Sequence, residues 1–322
     1  MIIALVGIVL QHLSYVSCQK VDIKQFCDIK CLNKEDTHTI CEFKCKEDPD
    51  KCTDFKHYPL SNSERQSMLD MHNMYRNKVA SGEDTRGENQ QAKDMIALNY
   101  DVEIEITTFC WAKRCYFEHD KCRHLPKFKS AGQNLFLQSG TLPIDGKKTA
   151  LLNVSIKQWY EEIKDTTKEL LMKYARSEKM VGHFTQVIWA STEFLGCSRV
   201  TWTDKDADQF KFRYHLLCNY SPAGNFYEAR VYEFGTGCTP PRQPNAIYPA
   251  LCGETYKVGG EDEEEDDEDE APLDSLGENE RRNVTGRPFE ADASRLSRSD
   301  IFLPLMYLIL YLNRNYYYTT VC

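Results

Sequence analysis

The first strong helical pattern of the chain begins after residue 60. The segment 61–64, with the sequence SNSE, has the spacing of a capping box, in which a serine and a glutamate three residues later satisfy each other's backbone N–H groups. Apolar side chains then recur at helical intervals, at Met68, Met71, Tyr75 and Val79. The pattern predicts a helix that starts at the capping box and ends at Gly82.

Residues 101–117 fit two patterns. The alternation over 102–106, VEIEI, is typical of a strand, whereas the apolar positions between 102 and 117 also fit one face of a helix. Asp101 in the position of an N-cap, with Glu103 and Glu105 in the first turn, favours the helix, because carboxylates there complement the helix dipole. We therefore predict a helix over this segment.

One more helix and two strands complete the pattern. Apolar positions at helical spacing predict a helix through Leu152, Ile156, Trp159, Tyr160 and Ile163. Residues 196–203 and 210–220 have the character of strands, and a polar loop at 204–208 joins them. Helices followed by an antiparallel pair of strands predict an α+β architecture with layered helices and sheet.

The cysteines and the chain start indicate secretion. The sequence has 322 residues and 14 Cys, a content typical of an oxidising compartment. Residues 1–10 are apolar and too short to span a bilayer, so we interpret 1–18 as a signal peptide rather than a buried strand. We divide the rest into a Cys-rich extension (19–57), a main domain (58–235), a short Cys-closed extension (236–260), an acidic and polar linker (261–300) and an apolar tail (301–322).

One acidic run explains the charge of the whole chain. Residues 261–270 read EDEEEDDEDE, and without them the formal net charge of −9 becomes +1. A near-neutral domain has no basic footprint for nucleic acid. The run itself could bind cations or basic proteins, but we favour a solvated, disordered linker. The apolar stretch 301–312 leaves a lipid anchor open; soluble secretion is favoured because a polar, Tyr-rich end follows it.

Two motifs carry a resemblance to a known family. Residues 182–189 read GHFTQVIW and residues 215–226 read HLLCNYSPAGNF. Three further motifs precede them in the same order as in the family, at 71–76, 131–134 and 158–163. The chain resembles the CAP superfamily of cysteine-rich secretory, antigen 5 and pathogenesis-related proteins, and looks most similar to arthropod antigen 5 venom allergens. The resemblance implies an α-β-α sandwich, here rich in disulfides, and the composition of residues 261–270 adds a disordered acidic tail to it.

The resemblance also implies most of the disulfides. It pairs Cys27 with Cys41, Cys31 with Cys122, Cys52 with Cys115, and Cys197 with Cys218. The last bond would also follow from two consecutive antiparallel strands. Between residues 19 and 235, Cys45 and Cys110 are then left, and we propose that they form a bond, because each lies close in sequence to a half of another bridge. Cys238 and Cys252 form the natural local pair. We expect Cys18 to leave with the signal peptide, which leaves Cys322 unpaired.

The resemblance places four polar residues in one cleft: His119, His183, the helix carboxylate Glu162, and Gln133. Many relatives have a glutamate at the position of Gln133, so this chain lacks one negative charge and one potential general base there. Two neutral imidazoles, His119 and His183, could bind Zn²⁺ or another divalent cation. The alternative is a hydrogen-bonded cluster that ties helices together, and the sequence leaves both interpretations open.

Three functions are compatible with this cleft. We favour a secreted, non-enzymatic binding module of the antigen 5 type, whose target is an extracellular protein or a lipid. A hydrolase that uses His119, Glu162 and His183 is the first alternative; against it, neither Gly-x-Ser-x-Gly nor His-Glu-x-x-His occurs in the chain. A sterol or lipid carrier is the second alternative.

The remaining histidines and the sequons complete the predictions. His72 is expected to be buried and structural, whereas His38, His57 and His124 look like ordinary surface or loop residues. The sequons at Asn153 and Asn283 are candidate glycosylation sites. A third sequon, at Asn219, is discounted because its flanks resemble a packed strand.

Overall fold

A computed structural model describes residues 19–31, 37–128, 130–259 and 318–321. The signal peptide, Cys18, the acidic run, Asn283, the apolar stretch 301–312 and Cys322 lie outside the described residues. Numbered in chain order, the elements are β1 (Gln19–Asp22), α1 (Lys24–Cys27), α2 (Thr39–Phe43), β2 (Thr53–His57), α3 (Asn62–Ala80), β3 (Ala92–Lys93), β4 (Asn99–Tyr100), α4 (Val102–Ala112), β5 (Gly132–Gly140), α5 (Thr149–Glu161), α6 (Lys168–Met172), α7 (Gly182–Val187), β6 (Phe194–Thr203), β7 (Phe212–Ser221), β8 (Glu233–Phe234) and β9 (Tyr318–Val321).

The capping box starts α3 as predicted. The Ser61 hydroxyl accepts from the backbone N–H of Glu64 at 3.1 Å, and the Glu64 carboxylate accepts from the backbone N–H of Ser61 at 3.0 Å. The helix ends at Ala80, two residues before Gly82, whose positive φ of 76° ends helices at low steric cost. The buried face of α3 includes Met68 and Val79.

The ambiguous segment after residue 100 is a helix. The Asp101 carboxylate accepts from the backbone N–H of Ile104 at 3.0 Å and caps α4. The helix lies so close to β6 that a Cβ added to Gly196 would come within 2.3 Å of the backbone nitrogen of Glu105. The Asp101 N-cap therefore favours the helix over the strand, and the absence of a Cβ at Gly196 allows α4 to pack closely against β6.

The central sheet has the strand order β2-β6-β7-β5, and β4 pairs with β6 in parallel. The predicted antiparallel pair is β6 and β7, with Cys197 opposite Cys218. The strand β5, which pairs with β7 over its whole length, was not predicted. Residues of α3, α5 and α7 form the core on one face of the sheet, and residues of α4 form the core on the other face. The fold is an α-β-α sandwich.

Six disulfides tie the described residues, and they are the six pairs proposed above: Cys27–Cys41, Cys31–Cys122, Cys45–Cys110, Cys52–Cys115, Cys197–Cys218 and Cys238–Cys252. Three of them join the N-terminal extension to α4 or to the loop that follows it. A bond that closes a loop of this length typically stabilises a fold by about 3–4 kcal/mol.

The packing does not follow the predicted domain boundaries at 57/58 and 235/236. The strand β2, assigned to the extension, is an edge strand of the central sheet. After residue 235, Leu251 is fully buried in the same core as α3, and the backbone N–H of Cys252 donates to the carbonyl of Met95 at 2.8 Å. Both flanking segments therefore complete the folded unit, because they cover apolar surface that the central segment leaves open.

Two buried histidines stabilise the fold. His72 is fully buried between the carbonyl of Met68 (2.7 Å) and the hydroxyl of Tyr220 (2.9 Å), which confirms its structural role. His38 lies in a loop, but it is not an ordinary surface or loop residue: it is 1% exposed, caps α2 through Nδ1, and donates from Nε2 to the carbonyl of His124 at 2.8 Å. Burial lowers the pKa of each of the two imidazoles to about 4.

The structure bears on two further predictions. Asn219 is fully buried within β7, in agreement with the discounted sequon, whereas Asn153 is exposed on α5 and its glycosylation stays a prediction. Among the helices in the described part of the chain, none has both the length and the apolar composition needed to cross a membrane.

Candidate functional site

The first half of the cleft is built at the start of α7. Glu162 follows α5 directly, and its Oε2 accepts from the backbone N–H groups of His183 (2.9 Å) and Phe184 (3.1 Å). A carboxylate there satisfies free N–H groups of the helix start and complements its dipole. The other oxygen, Oε1, lies 2.6 Å from Nδ1 of His183. The imidazole of His183 also stacks on Trp159, with ring centroids 6.2 Å apart and planes at 15°.

The second half is built on β5 and the loop after α4. Nδ1 of His119 lies 2.8 Å from Oε1 of Gln133. The amide nitrogen of Gln133 donates to Oδ1 of Asn219 at 3.0 Å and to Oδ1 of Asp120 at 3.2 Å. Gln133, Asn219 and Asp120 are all at least nine-tenths buried, whereas His119 is exposed. The imidazole of His119 thus lies at the surface on a buried polar support.

The hydrogen bonds determine which ring nitrogen of each histidine carries the proton. The Glu162 carboxylate can only accept from Nδ1 of His183, and the Gln133 carbonyl oxygen can only accept from Nδ1 of His119. In the neutral imidazole the second nitrogen then keeps its lone pair. Neither Nε2 has a hydrogen-bond partner within the described segments of the chain. In its neutral form, each of the two histidines therefore offers an unprotonated Nε2.

The neutral form of His119 is favoured by its surroundings. Although the residue as a whole is exposed, the side of the ring that faces Gln133 is partly buried, and this burial lowers its pKa. The charges of Arg123 and His183 act in the same direction, and the hydrogen bond to Gln133 and the Asp120 charge oppose it. The four residues assigned to the cleft by resemblance form two hydrogen-bonded pairs, Glu162 with His183 and Gln133 with His119.

Sequence reasoning missed two residues near this site. Asp120 follows His119 directly, but its burial and its contact with Gln133 depend on the fold. His215 is fully buried in β7, and its ring lies against Trp202 and Phe117 with centroid distances of 5.8 and 5.6 Å. A histidine inside a hydrophobic strand was the available signal for His215.

Within the described residues, no group of three or more His, Cys, Asp or Glu side chains has the arrangement to hold a metal ion. His119 and His183 would be the residues to hold a cation, through Nε2, because each has its Nδ1 held by a hydrogen bond, as is usual for histidine ligands. Two protein ligands leave further positions of a tetrahedral Zn²⁺ open.

The hydroxyls of Thr185 and Ser198, which lie near His183 in the sequence, have no histidine or carboxylate as a hydrogen-bond partner among the described residues. Thr185 is fully buried and its hydroxyl donates within the start of α7 and to Asn225 at 2.7 Å. Ser198 is 2% exposed, and its hydroxyl has no hydrogen-bond partner among the residues described. Catalysis by a hydroxyl needs a base within hydrogen-bonding distance.

Fold and cleft together define a class: a disulfide-tied α-β-α protein with two histidines supported by a carboxylate and an amide. The sequence profile of the Cysteine-rich secretory protein family (CAP) matches residues 69–220. Venom allergen 3 homolog of Dinoponera quadriceps is 30% identical over 214 residues, which cover 65% of this chain and 89% of the relative. Venom allergen 5.02 of Dolichovespula maculata is 32% identical over 216 residues, covering 66% and 95%.

The chain belongs to the Cysteine-rich secretory protein family and is similar to antigen 5 venom allergens. It is thus a secreted, extracellular CAP protein. Among solved structures, the crystal structure of NaASP2 with Zn²⁺ is 29% identical, with a TM-score of 0.50, and the match covers 63% of this chain and all of that one.

Proposed function

We propose that this secreted CAP protein is a non-enzymatic binding module whose cleft holds a divalent cation such as Zn²⁺ through Nε2 of His119 and of His183. The observation that carries the proposal is the pair of fixed imidazoles, each with Nδ1 engaged and Nε2 without a partner among the described residues. The similar structure of NaASP2 was solved with Zn²⁺, which supports this choice of cation.

The geometry of Glu162 supports binding rather than hydrolysis. A general base needs a carboxylate oxygen that can reach a water or a substrate. Both oxygens of Glu162 already accept hydrogen bonds, one from the His183 ring and the other from two backbone N–H groups at the start of α7. Gln133, the amide at the fourth position, has no proton-accepting carboxylate to offer.

The chemistry of the cation fits a binding role. A bound Zn²⁺ would supply open coordination positions, which an oxygen or nitrogen donor of an extracellular partner can fill. The residues of this chain then hold the two imidazoles in place, through Glu162 on one side and Gln133 on the other. We propose that the partner is an extracellular protein or lipid whose head group or side chain supplies such a donor.

The test is a calorimetric titration of the metal-free, disulfide-bonded chain with Zn²⁺. We expect one Zn²⁺ per chain, and a loss of affinity for His119→Ala and for His183→Ala greater than the ~10–100-fold typical of removing an outer-shell partner. His124→Ala is the control, because it removes an imidazole that is not one of the pair. Equal affinities for the control and the two cleft variants would contradict the proposal.

A further inference from the structure

Asp120 lies behind the cleft and has no assigned role. The carboxylate is 4% exposed and accepts from three side chains: Nε of Arg123 at 2.5 Å and the Gln133 amide at 3.2 Å on Oδ1, and the hydroxyl of Thr39 at 2.5 Å on Oδ2. It therefore connects the N-terminal extension, the loop after α4 and the strand β5.

The donors around Asp120 fix the direction of the whole chain of hydrogen bonds. A guanidinium can only donate, so Oδ1 of Asp120 acts as an acceptor toward Arg123. The atom of Gln133 that faces the same oxygen must then be the amide nitrogen. Because an amide carries its oxygen on the opposite side, the carbonyl oxygen of Gln133 must face His119, and Nδ1 of His119 must carry the proton.

A glutamine at position 133 needs a neighbouring acceptor that fixes which end of its amide faces His119, whereas a glutamate does not. Both oxygens of a carboxylate accept, so a glutamate would present an acceptor to His119 in either orientation. An amide rotated by 180° would present N–H groups to His119 and would favour a proton on Nε2 instead. In that state the lone pair would be lost from the side of the imidazole that is available to a cation.

The N-terminal extension fixes the position of the Asp120 carboxylate. Besides the hydroxyl contact, the backbone N–H of Thr39 donates to the carbonyl of Cys122 at 2.9 Å, and His38 donates to the carbonyl of His124 at 2.8 Å. The Cys31–Cys122 disulfide joins the same two segments covalently. The extension is thus attached directly to the loop that carries His119.

From this arrangement we infer that Asp120, held by Thr39 of the N-terminal extension, is a positioning residue that acts through the Gln133 amide to keep the His119 proton on Nδ1 and the lone pair on Nε2. The inference rests on the proposed function only for its consequence, the binding of a cation. The arrangement of protons is a property of the metal-free protein.

The test is the tautomer of His119, measured by long-range ¹H–¹⁵N correlation spectra of the full-length, metal-free, ¹⁵N-labelled protein. We expect Nδ1–H in the wild type and a reduced Nδ1–H population in Asp120→Ala. Asp120→Asn is the conservative variant: its side-chain oxygen can still accept from Arg123 and Gln133 while its amide faces Thr39, so the wild-type tautomer should persist. The ring of His183, supported by Glu162 instead, is the internal control for an intact cleft.

Three results would overturn the inference: a wild-type His119 protonated on Nε2, an unchanged tautomer in Asp120→Ala, or a tautomer lost as fully in Asp120→Asn as in Asp120→Ala. If Asp120→Ala does not fold, the wild-type spectrum and that of Asp120→Asn still test the inference, because a His119 proton on Nε2 in either protein would overturn it. A parallel titration with Zn²⁺ should show a Kd about 10- to 100-fold higher for Asp120→Ala than for the wild type. A wild type that binds no Zn²⁺ but shows the expected tautomers would refute the metal proposal and leave the positioning role standing.

Discussion

The fully buried His215 predicts a measurable acid sensitivity of the fold. Both ring nitrogens lack a hydrogen-bond partner within the described residues, and burial, with a smaller effect of His119, lowers the pKa of the imidazole from 6.5 to about 3. In the unfolded chain the imidazole titrates near 6.5, so below that pH the unfolded state binds more protons than the folded state. The free energy of unfolding therefore falls as the pH drops below about 7 and continues to fall until about pH 3.

The magnitude follows from the two pKa values. At pH 5 the unfolded imidazole is almost fully protonated and the folded one almost fully neutral, which corresponds to a loss of about 2 kcal/mol relative to pH 8. At this pH the loss depends mainly on the unfolded pKa, because any folded value well below 5 gives nearly the same result. His215→Leu removes the titration and replaces an unpaired polar ring by an apolar side chain, which is close to neutral at pH 8.

The assay is denaturant unfolding of wild type and His215→Leu at pH 8 and pH 5, with disulfides intact. We expect the free energy of unfolding of the variant, relative to wild type, to rise by about 2 kcal/mol between pH 8 and pH 5. The buried His38 and His72 titrate in both proteins and cancel in this difference. Leu137→Val, at the cross-strand position opposite His215, is the control. It should lower the free energy of unfolding by the same amount at both pH values. A His215→Leu difference that does not change with pH would refute the reasoning.

Two further predictions concern the fold, and denaturant unfolding at pH 8 checks both. Arg76 is fully buried and donates to five backbone carbonyls, so Arg76→Met should lower the free energy of unfolding by about 3 kcal/mol or more because it leaves these acceptors unpaired; a loss below about 1 kcal/mol would contradict this role. Gly196→Ala should cost about 1–3 kcal/mol, because its Cβ would press on the backbone of α4; an unchanged stability would show that α4 can move away freely.

The parts of the fold that were predicted from sequence depend on local chemistry. The capping box at Ser61 and the N-cap at Asp101 act within three residues of the helix start, so their spacing suffices to place α3 and α4. The strand β5 was missed because it contains one of the family motifs and carries glycine at both ends, Gly132 and Gly140. Its strand structure comes from pairing with β7, a contact with residues about 80 positions away.

The surprises at the site have a common origin in long-range contacts. His38 reads as a loop residue, and its burial follows from contact with the carbonyl of His124, 86 positions away. The contact of Asp120 with Thr39 spans 81 positions. Residue spacing cannot reveal such pairs. The resemblance placed four side chains in one cleft, those of His119, Gln133, Glu162 and His183, but it did not identify the buried residues that hold them in position.

The contact with Asp120 changes the interpretation of Gln133. From the sequence alone, the residue removes a charge and a potential base from the cleft. In the structure its amide nitrogen lies 3.2 Å from the Asp120 carboxylate, so a glutamate at this position would bring two carboxylates together. An amide avoids that repulsion and still accepts from His119 through its oxygen. The negative charge therefore lies on the buried Asp120, where the Arg123 guanidinium compensates it and the Thr39 hydroxyl donates to it. At the surface of the cleft, His119 keeps a free lone pair on Nε2 in its neutral form.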